Sequence, residues 1–321
     1  MNAKMTTSVV MATYNGEKYI EAQLQSLKNQ TRQLDEVLIY DDQSTDNTVA
    51  IIQSYIEKEN LANWQVLVNE INQGWRLNFM KLLEAATGDI VFTCDQDDIW
   101  YEDKIEAMTE LFEKEKNVSV VVSDYDELIE ETGSSAKLRP IQTVIENGLK
   151  KVVFERKNVL LKRPGCVFAV RKEFIPLVVD YYDHAENSAH DLAMWASALL
   201  YDQLYYLEKP TIQFRRHATS SFQKEVNTAK KQNGIYDNRI QTLERFNVRI
   251  HSAKEFITRH VDIQEKDKKQ AILTQMIKTN ESRVASLGTK KFSKVVQHTL
   301  DYREPFAYFA DLYHIYKIKR S

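Results

Sequence analysis

The sequence predicts an α/β protein: a mostly parallel sheet covered by helices on both faces, followed by a helical appendage. Three observations predict it. Short β-branched and apolar runs alternate with segments whose apolar residues recur at helical spacing, and the runs end in polar, turn-forming residues. Beyond about Ser221, glycine and proline almost vanish while helical spacing persists.

Thr7 to Thr13 is the first strand, ending at the turn Tyr14-Asn15-Gly16. Ile20, Leu24 and Leu27 then share one helical face. Glu36 to Tyr40 is a strand; Val49, Ile52 and Ile56 mark a helix; Trp64 to Val68 is the third strand. Phe79, Leu82, Leu83 and Ala86 lie on a helix stopped by Gly88. Ile90 to Thr93 is a strand, Ile105 to Phe112 a helix, and Val118 to Ser123 a strand. Such alternation implies parallel strands joined by crossover helices. After Ser123 the rhythm loosens: Glu130 to Lys137 reads as a surface loop, and the apolar runs Leu160 to Val170 and Gln203 to Leu207 suggest a mixed or antiparallel edge. In the appendage, Tyr236-Ile240-Leu243 and Phe292-Val295-Val296 have helical spacing. The chain therefore divides into residues 1–220, with a nucleotide-binding half to about 125, and a helical region 221–321.

Lys plus Arg number 43 and Asp plus Glu 46, a net charge of −3 that argues against nucleic acid as a partner. The two cysteines are too few for a disulfide framework, and no stretch reaches the length of a membrane span. Together with the lack of an apolar leader before Gly16, this predicts a cytoplasmic protein.

Ligands of open parallel sheets bind at the carboxyl ends of the strands. Here the first strand delivers Thr13, Tyr14 and Asn15, the second Asp41-Asp42-Gln43-Ser44, and the fourth Asp95-Gln96-Asp97-Asp98. Neither G-x-G-x-x-G nor G-x-x-x-x-G-K-[ST] is present, which removes the dinucleotide and P-loop readings. Three carboxylates within four residues repel one another unless a cation offsets them, and oxygen ligation suits Mg²⁺ or Mn²⁺ carrying a diphosphate. The same acids also fit a solvated turn capping the next helix, and Asp41-Asp42 with Ser44 and Thr45 fit an N-cap.

Four segments, VVMATYNGEKYIEAQLQSLKNQT, EVLIYDDQSTDNT, NQGWRLNF and GDIVFTCDQDDIW, resemble in order and spacing the amino-terminal domain of family 2 glycosyltransferases, which have the GT-A fold. The likeness covers about residues 7 to 125. CDQDDIW is similar to bacterial rhamnosyltransferase-like members that build cell-wall or capsular polysaccharides. The resemblance implies a UDP-sugar or dTDP-sugar donor and Mn²⁺ or Mg²⁺. By it, Tyr14 and Asp42 contact the base, Asp95 lies near ribose and sugar, Asp97 holds the metal, and Asn78 borders the donor pocket or serves its helix. The chain departs from the family where Asp-Gly-Ser is common and it has Asp42-Gln43-Ser44, which puts that turn in question.

Inverting transfer needs a carboxylate to take the acceptor hydroxyl proton. The family carries it at a helix start after D-x-D, a place held here by His190-Asp191, so Asp191 is the candidate base. His190 would orient it, and Asp183 and Glu186 are competitors. Asp191 also suits a helix amino terminus by charge alone. Arg163-Pro164-Gly165-Cys166 resembles the segment lining the acceptor side, with Cys166 a small packed residue. In Arg215-Arg216-His217, Arg216 is a candidate diphosphate clamp and His217 a second metal ligand. The aromatic segment from Phe306 to Ile318, ending Lys317-Ile318-Lys319-Arg320, fits a homo-oligomer contact or a membrane interface at the inner face.

The leading expectation is an inverting, metal-dependent glycosyltransferase acting on a saccharide, glycolipid or glycoprotein hydroxyl. A sugar-1-phosphate nucleotidyltransferase would want a glycine-rich basic loop in place of Ala12 to Lys18. A degenerate transferase serving as a scaffold is the third reading.

Overall fold

The protein is described by a computed structural model covering residues 4–130, 138–217, 235–289, 291, 293 and 305–318. The chain divides into two compact units, Met1–His217 and Ala218–Ser321.

The first unit is built on one ten-stranded sheet. Its strands and helices run β1 (Thr7–Thr13), α1 (Ile20–Lys28), β2 (Glu36–Asp41), α2 (Thr48–Glu59), β3 (Trp64–Val68), α3 (Trp75–Ala85), β4 (Ile90–Asp95), β5 (Ile99–Trp100), α4 (Lys104–Lys114), β6 (Val120–Ile129), β7 (Thr143–Glu146), β8 (Leu149–Val152), β9 (Phe168–Arg171), α5 (Ile175–His184), α6 (His190–Leu200) and β10 (Leu204–Arg216). The sheet order is β3-β2-β1-β4-β9-β6-β10-β8-β7, with β5 pairing β10. β1, β2, β3 and β4 are mutually parallel, and β6 is parallel to β10. The all-apolar runs Val9–Met11 and Val120–Val122 have no exposed surface, as expected of strands covered on both faces.

The antiparallel edge foreseen is formed where β10, β8 and β7 pair, but the run Leu160 to Val170 supplies an antiparallel strand in the middle of the sheet. β9 inserts between β4 and β6, antiparallel to both. Its four residues are all buried, and a strand apolar on both faces has nowhere to sit except inside the sheet. The runs Gln203 to Leu207 and Thr211 to Phe214 belong to one long strand, β10, whose register shifts around Pro210. Proline donates no ladder hydrogen bond, so the strand bends there.

Register brings the motifs together. Thr13 pairs Asp41 and Ala12 pairs Asp95, so the residues after β1, β2 and β4 emerge side by side.

In the second unit, α7 (Ile235–Arg259), α8 (Lys266–Gly288) and α9 (Pro305–Ile318) pack through Leu243, Leu287 and Ile315. Asp311 has no exposed surface. Its carboxylate accepts from Arg239 Nε at 3.0 Å and from Arg283 Nε and Nη2 at 2.8 and 3.1 Å, tying the three helices at one point. Phe309, Tyr313 and Tyr316 lie exposed at i, i+4 and i+7 on α9. The spacing predicted at Phe292-Val295-Val296 lies outside the described residues. No described helix is long and apolar enough to cross a membrane.

Candidate active site

The turn after β1 is fixed by its neighbours. Asn15 adopts a left-handed φ of 47°, a conformation that Asn tolerates. Its Oδ1 accepts the Thr45 N–H at 2.8 Å, and its own N–H donates to Ser44 Oγ at 2.8 Å. The Tyr14 backbone is clasped on both sides by the Gln96 amide, at 2.9 and 3.1 Å, which leaves the Tyr14 ring exposed at the strand end.

After β2, Asp41 accepts from Thr13 Oγ1 at 2.8 Å and from Ser44 N–H at 2.7 Å. Asp42 is buried, and its two oxygens accept the N–H groups of Gln73 and Gly74 at 2.9 and 2.8 Å and Asn69 Nδ2 at 3.0 Å. It thus holds the start of α3, while the first turn of α2 is served by Asp46 Oδ1, which accepts Thr48 N–H at 3.0 Å. Gln43 stands where the resemblance leads one to expect glycine, and its φ is indeed +69°. The left-handed turn is kept because the Gln43 amide donates to the carbonyls of Asn69 and Glu70 at 2.7 and 2.9 Å. Asn78 is fully buried: its Nδ2 donates to the Tyr40 carbonyl at 2.8 Å and its Oδ1 accepts from Asn69 at 3.1 Å. That is a bridge between β2 and α3.

At the end of β4 the carboxylates are gathered as the sequence implies. Their hydrogen bonds run to the end of β10, to His217 just beyond it and to the Cys166 thiol rather than to the first turn of α4. Asp97 Oδ2 lies 2.8 Å from His217 Nε2. Asp98 is fully buried; its Oδ1 accepts the Arg215 N–H at 2.8 Å, and its Oδ2 has no hydrogen-bond partner. Burial, with the charges of Asp97 and Asp191, pushes the Asp95 carboxyl up to about 7. Burial and the charges of Asp97 and Asp95 hold Asp98 well above the usual carboxylate range. Asp95, Asp98 and Cys166 present ligand atoms within 4.8 Å of one another. Burial raises the Cys166 thiol as well, so it stays protonated and packed. Beneath them Lys104, also fully buried, donates to the Cys166 carbonyl at 2.6 Å and sits 3.5 Å over the Trp100 ring.

A cation fits such a site. Three carboxylates share one strand end, and a buried carboxylate oxygen lacks any donor. The grouped donors are the Asp95 and Asp98 oxygens and the protonated Cys166 sulfur, with the Asp97–His217 pair beside them, and the carboxylate oxygens suit a hard divalent ion.

Asp191, in the first turn of α6, is half-buried, and its Oδ1 accepts the Leu192 N–H at 2.7 Å. Its charge helps to raise the Asp95 carboxyl, so the candidate base lies within electrostatic reach of the acidic motif. Asp183 and Glu186 are exposed on α5 and the loop after it. His190 does not hold Asp191: both of its ring nitrogens lack hydrogen-bond partners. The ring stacks on Phe79 with centroids 4.0 Å apart and meets Trp75 edge-on. Burial lowers His190 to about 4 and keeps it a neutral, packed ring. The space a side chain would need at Gly165 is taken by that ring, since a Cβ there would lie 2.3 Å from His190 Nε2.

Of the basic pair, the structure brings Arg215 rather than Arg216 to the carboxylates. Arg216 donates to Glu127 at 3.0 Å. Arg215 Nε donates to the Asp97 carbonyl at 2.7 Å. Side chains alternate along a strand, so Arg215 and His217 share a side and Arg216 takes the other, a signal the sequence already held. Lys104 and the pairing of Gln96 with Tyr14 had no such signal, because each depends on which strand ends the fold brings together.

The model for the family described as glycosyl transferase family 2 matches residues 8–176. The dTDP-rhamnosyl transferase RfbG of Shigella flexneri is 30% identical over 220 residues, 64% of this chain and 71% of that protein. The putative teichuronic acid biosynthesis glycosyltransferase TuaG of Bacillus subtilis is 30% identical over 164 residues, 50% of this chain and 64% of its own length. TarS of S. aureus, solved with UDP-GlcNAc, superposes with a TM-score of 0.58 at 18% identity, over 88% of this chain and 72% of that one. The mannosyltransferase PcManGT of Pyrobaculum calidifontis, solved with GDP-Man and Mn²⁺, gives 0.54 at 16% identity over 96% and 79%. These two show the fold, which is GT-A.

Proposed function

The chain belongs to glycosyl transferase family 2, and from that membership we propose that it transfers a sugar, with inversion and with the help of a divalent cation, from a UDP-sugar or dTDP-sugar to a hydroxyl of a saccharide, glycolipid or glycoprotein. One observation carries the reading: the strand ends bring Asp41–Asp42 and Asp95–Asp98 side by side, with His217 Nε2 2.8 Å from Asp97, and the charge of half-buried Asp191 reaches Asp95. The dTDP-rhamnosyl activity in the name of RfbG favours a deoxythymidine donor, and the TarS complex with UDP-GlcNAc keeps uridine beside it.

In this reading Asp191 takes the proton from the acceptor hydroxyl as that oxygen attacks the anomeric carbon, a contribution of roughly 10² to 10⁴ in rate. Its bond from Leu192 N–H orients the carboxylate at the start of the helix. Asp97, with Asp95, Asp98 and His217, would hold Mn²⁺ or Mg²⁺, which when bound supplies Lewis-acid stabilisation of the departing nucleoside diphosphate. Tyr14 offers its exposed ring to the base. Asp42, whose oxygens serve Gln73 and Gly74, shapes the wall beside it. Asn78 supports that wall from within, while Arg216 is paired with Glu127 and Arg215 takes the place beside the carboxylates.

The exposed row Phe309, Tyr313 and Tyr316 suits a homo-oligomer contact, since aromatic residues are enriched in interface cores. Nucleotide-sugar use and two unpaired, buried cysteines suit a cytoplasmic setting.

The test is donor screening. UDP-, dTDP- and GDP-sugars are compared by thermal shift with Mn²⁺, and the anomer first released or transferred is read by proton NMR. Retained configuration would overturn the inverting mechanism, and stabilisation by the GDP-sugar alone would overturn the pyrimidine donor.

A further inference from the structure

At the same strand ends, beside the Asp97–His217 pair, three donors converge on one carboxylate. Tyr19 Oη donates to Glu130 Oε2 at 2.8 Å, Lys18 Nζ reaches the same oxygen at 3.2 Å, and Arg215 Nη1 reaches Glu130 Oε1 at 3.2 Å. The donors are well held. The Tyr19 ring lies 4.7 Å from the Arg215 guanidinium and 4.8 Å from the His217 ring. Arg215 is further fixed by its two bonds to Asp97 and Asp98. Glu130 is fixed less. It is the last residue of a described segment, and its side chain retains 30% exposure.

Two cations and a hydroxyl aimed at one anionic group form an oxyanion-binding arrangement, and a guanidinium with an ammonium donates to phosphate oxygens in the same geometry as to carboxylate oxygens. A surface ion-pair network alone would need no such convergence beside an acidic, cation-binding motif. The geometry points to a diphosphate subsite formed by Lys18, Tyr19 and Arg215, in which Glu130 occupies the anion's place until the diphosphate displaces it. The inference rests on the transferase reading for its biological ligand, but its chemistry is that of any diphosphate.

Glu130 then acts as a competing internal ligand. The apparent affinity for the diphosphate is lowered by the fraction of molecules in which the carboxylate holds the site. Glu130→Gln keeps the shape and removes the competing charge, so it should raise affinity, by about 3- to 30-fold if the occupied state predominates. Lys18, with 68% of its side chain exposed, carries little of the fold, so Lys18→Met should fold normally and weaken binding several-fold.

Calorimetric titration of the full chain, in Mn²⁺, with inorganic pyrophosphate, UDP and dTDP tests this. Tighter pyrophosphate binding by Glu130→Gln and weaker binding by Lys18→Met are expected. Unchanged or weaker binding by Glu130→Gln, unchanged binding by Lys18→Met, or no pyrophosphate binding by any variant would overturn the subsite. If pyrophosphate behaves as expected while UDP and dTDP bind no better than pyrophosphate, the subsite stands and the nucleotide-donor reading fails. Should Glu130→Gln melt early, Glu130→Ala and the Lys18→Met result decide the matter.

Discussion

The backbone of Arg215 donates to Asp98 Oδ1 at 2.8 Å, so the end of the last strand is bonded to the acidic motif that ends the fourth. The Asp97 carbonyl receives the same residue's Nε. Two segments more than a hundred residues apart are thereby locked in register, and His217 arrives beside Asp97 as a consequence. The site is assembled by the sheet rather than by any one loop.

Replacing Asp97 by Asn removes the carboxylate proposed to hold the cation and paired with His217. Stabilisation of the protein by UDP or dTDP should then become insensitive to Mn²⁺, whereas the parent protein should gain at least about 1 kcal/mol more with the ion than in excess EDTA. Differential scanning fluorimetry with and without EDTA checks it, and equal response of the parent protein in both would remove the metal from the site.

Asp191→Asn should separate chemistry from binding. Donor affinity should stay within about twofold, while turnover falls by on the order of 10² to 10⁴. Calorimetry beside a transfer assay decides it. Retention of more than about a tenth of turnover would shift the base to Glu186 or Asp183.

The buried ring of His190 makes the fold sensitive to acid. Its folded value of about 4 lies below its ordinary 6.5, so between those limits the unfolded chain binds the extra proton. Stability from this group is present above about pH 6.5 and is lost as pH falls toward 4. Its full size is on the order of 3 kcal/mol. His190→Leu should flatten the dependence of unfolding free energy on pH by up to one proton in that window, whatever it does to absolute stability. Urea unfolding at several pH values measures the slope, and an unaltered slope would contradict the assignment.

In the second unit, Asp311→Ala removes the fully buried carboxylate that joins half-buried Arg239 to Arg283. Breaking a buried pair in this way costs about 3–5 kcal/mol. Loss of helical circular dichroism at lower urea in the variant, with the pyrophosphate titration unchanged, is expected.

The alternating elements from Thr7 to Ser123 were legible because every strand there is apolar and every helix has one apolar face. The carboxylates at Asp95–Asp98 were legible because their mutual repulsion is local. What composition could not convey was partnership. Asp42 looked like a cap for the helix that follows it, yet it serves the start of α3, some thirty residues on. His190 looked like an orienting partner of its neighbour, yet its ring is spent on Phe79. Pairing across the sheet decides such roles, and β9 shows the same limit: its apolar run was visible, but its central position was set by which strands flank it.

That reversed strand has a consequence for how such a chain can change. Because β6 leaves, and β9 begins, at the same rim of the sheet, the chain between them returns to the rim it left. Its last residues are not free to change, since Gly165 and Cys166 close against His190 and Lys104. The β7–β8 hairpin, by contrast, extends the sheet edge beside β10 and pairs with no strand that carries Asp42 or Asp95, so it is where the chain can be remodelled at least cost to the carboxylate-bearing frame.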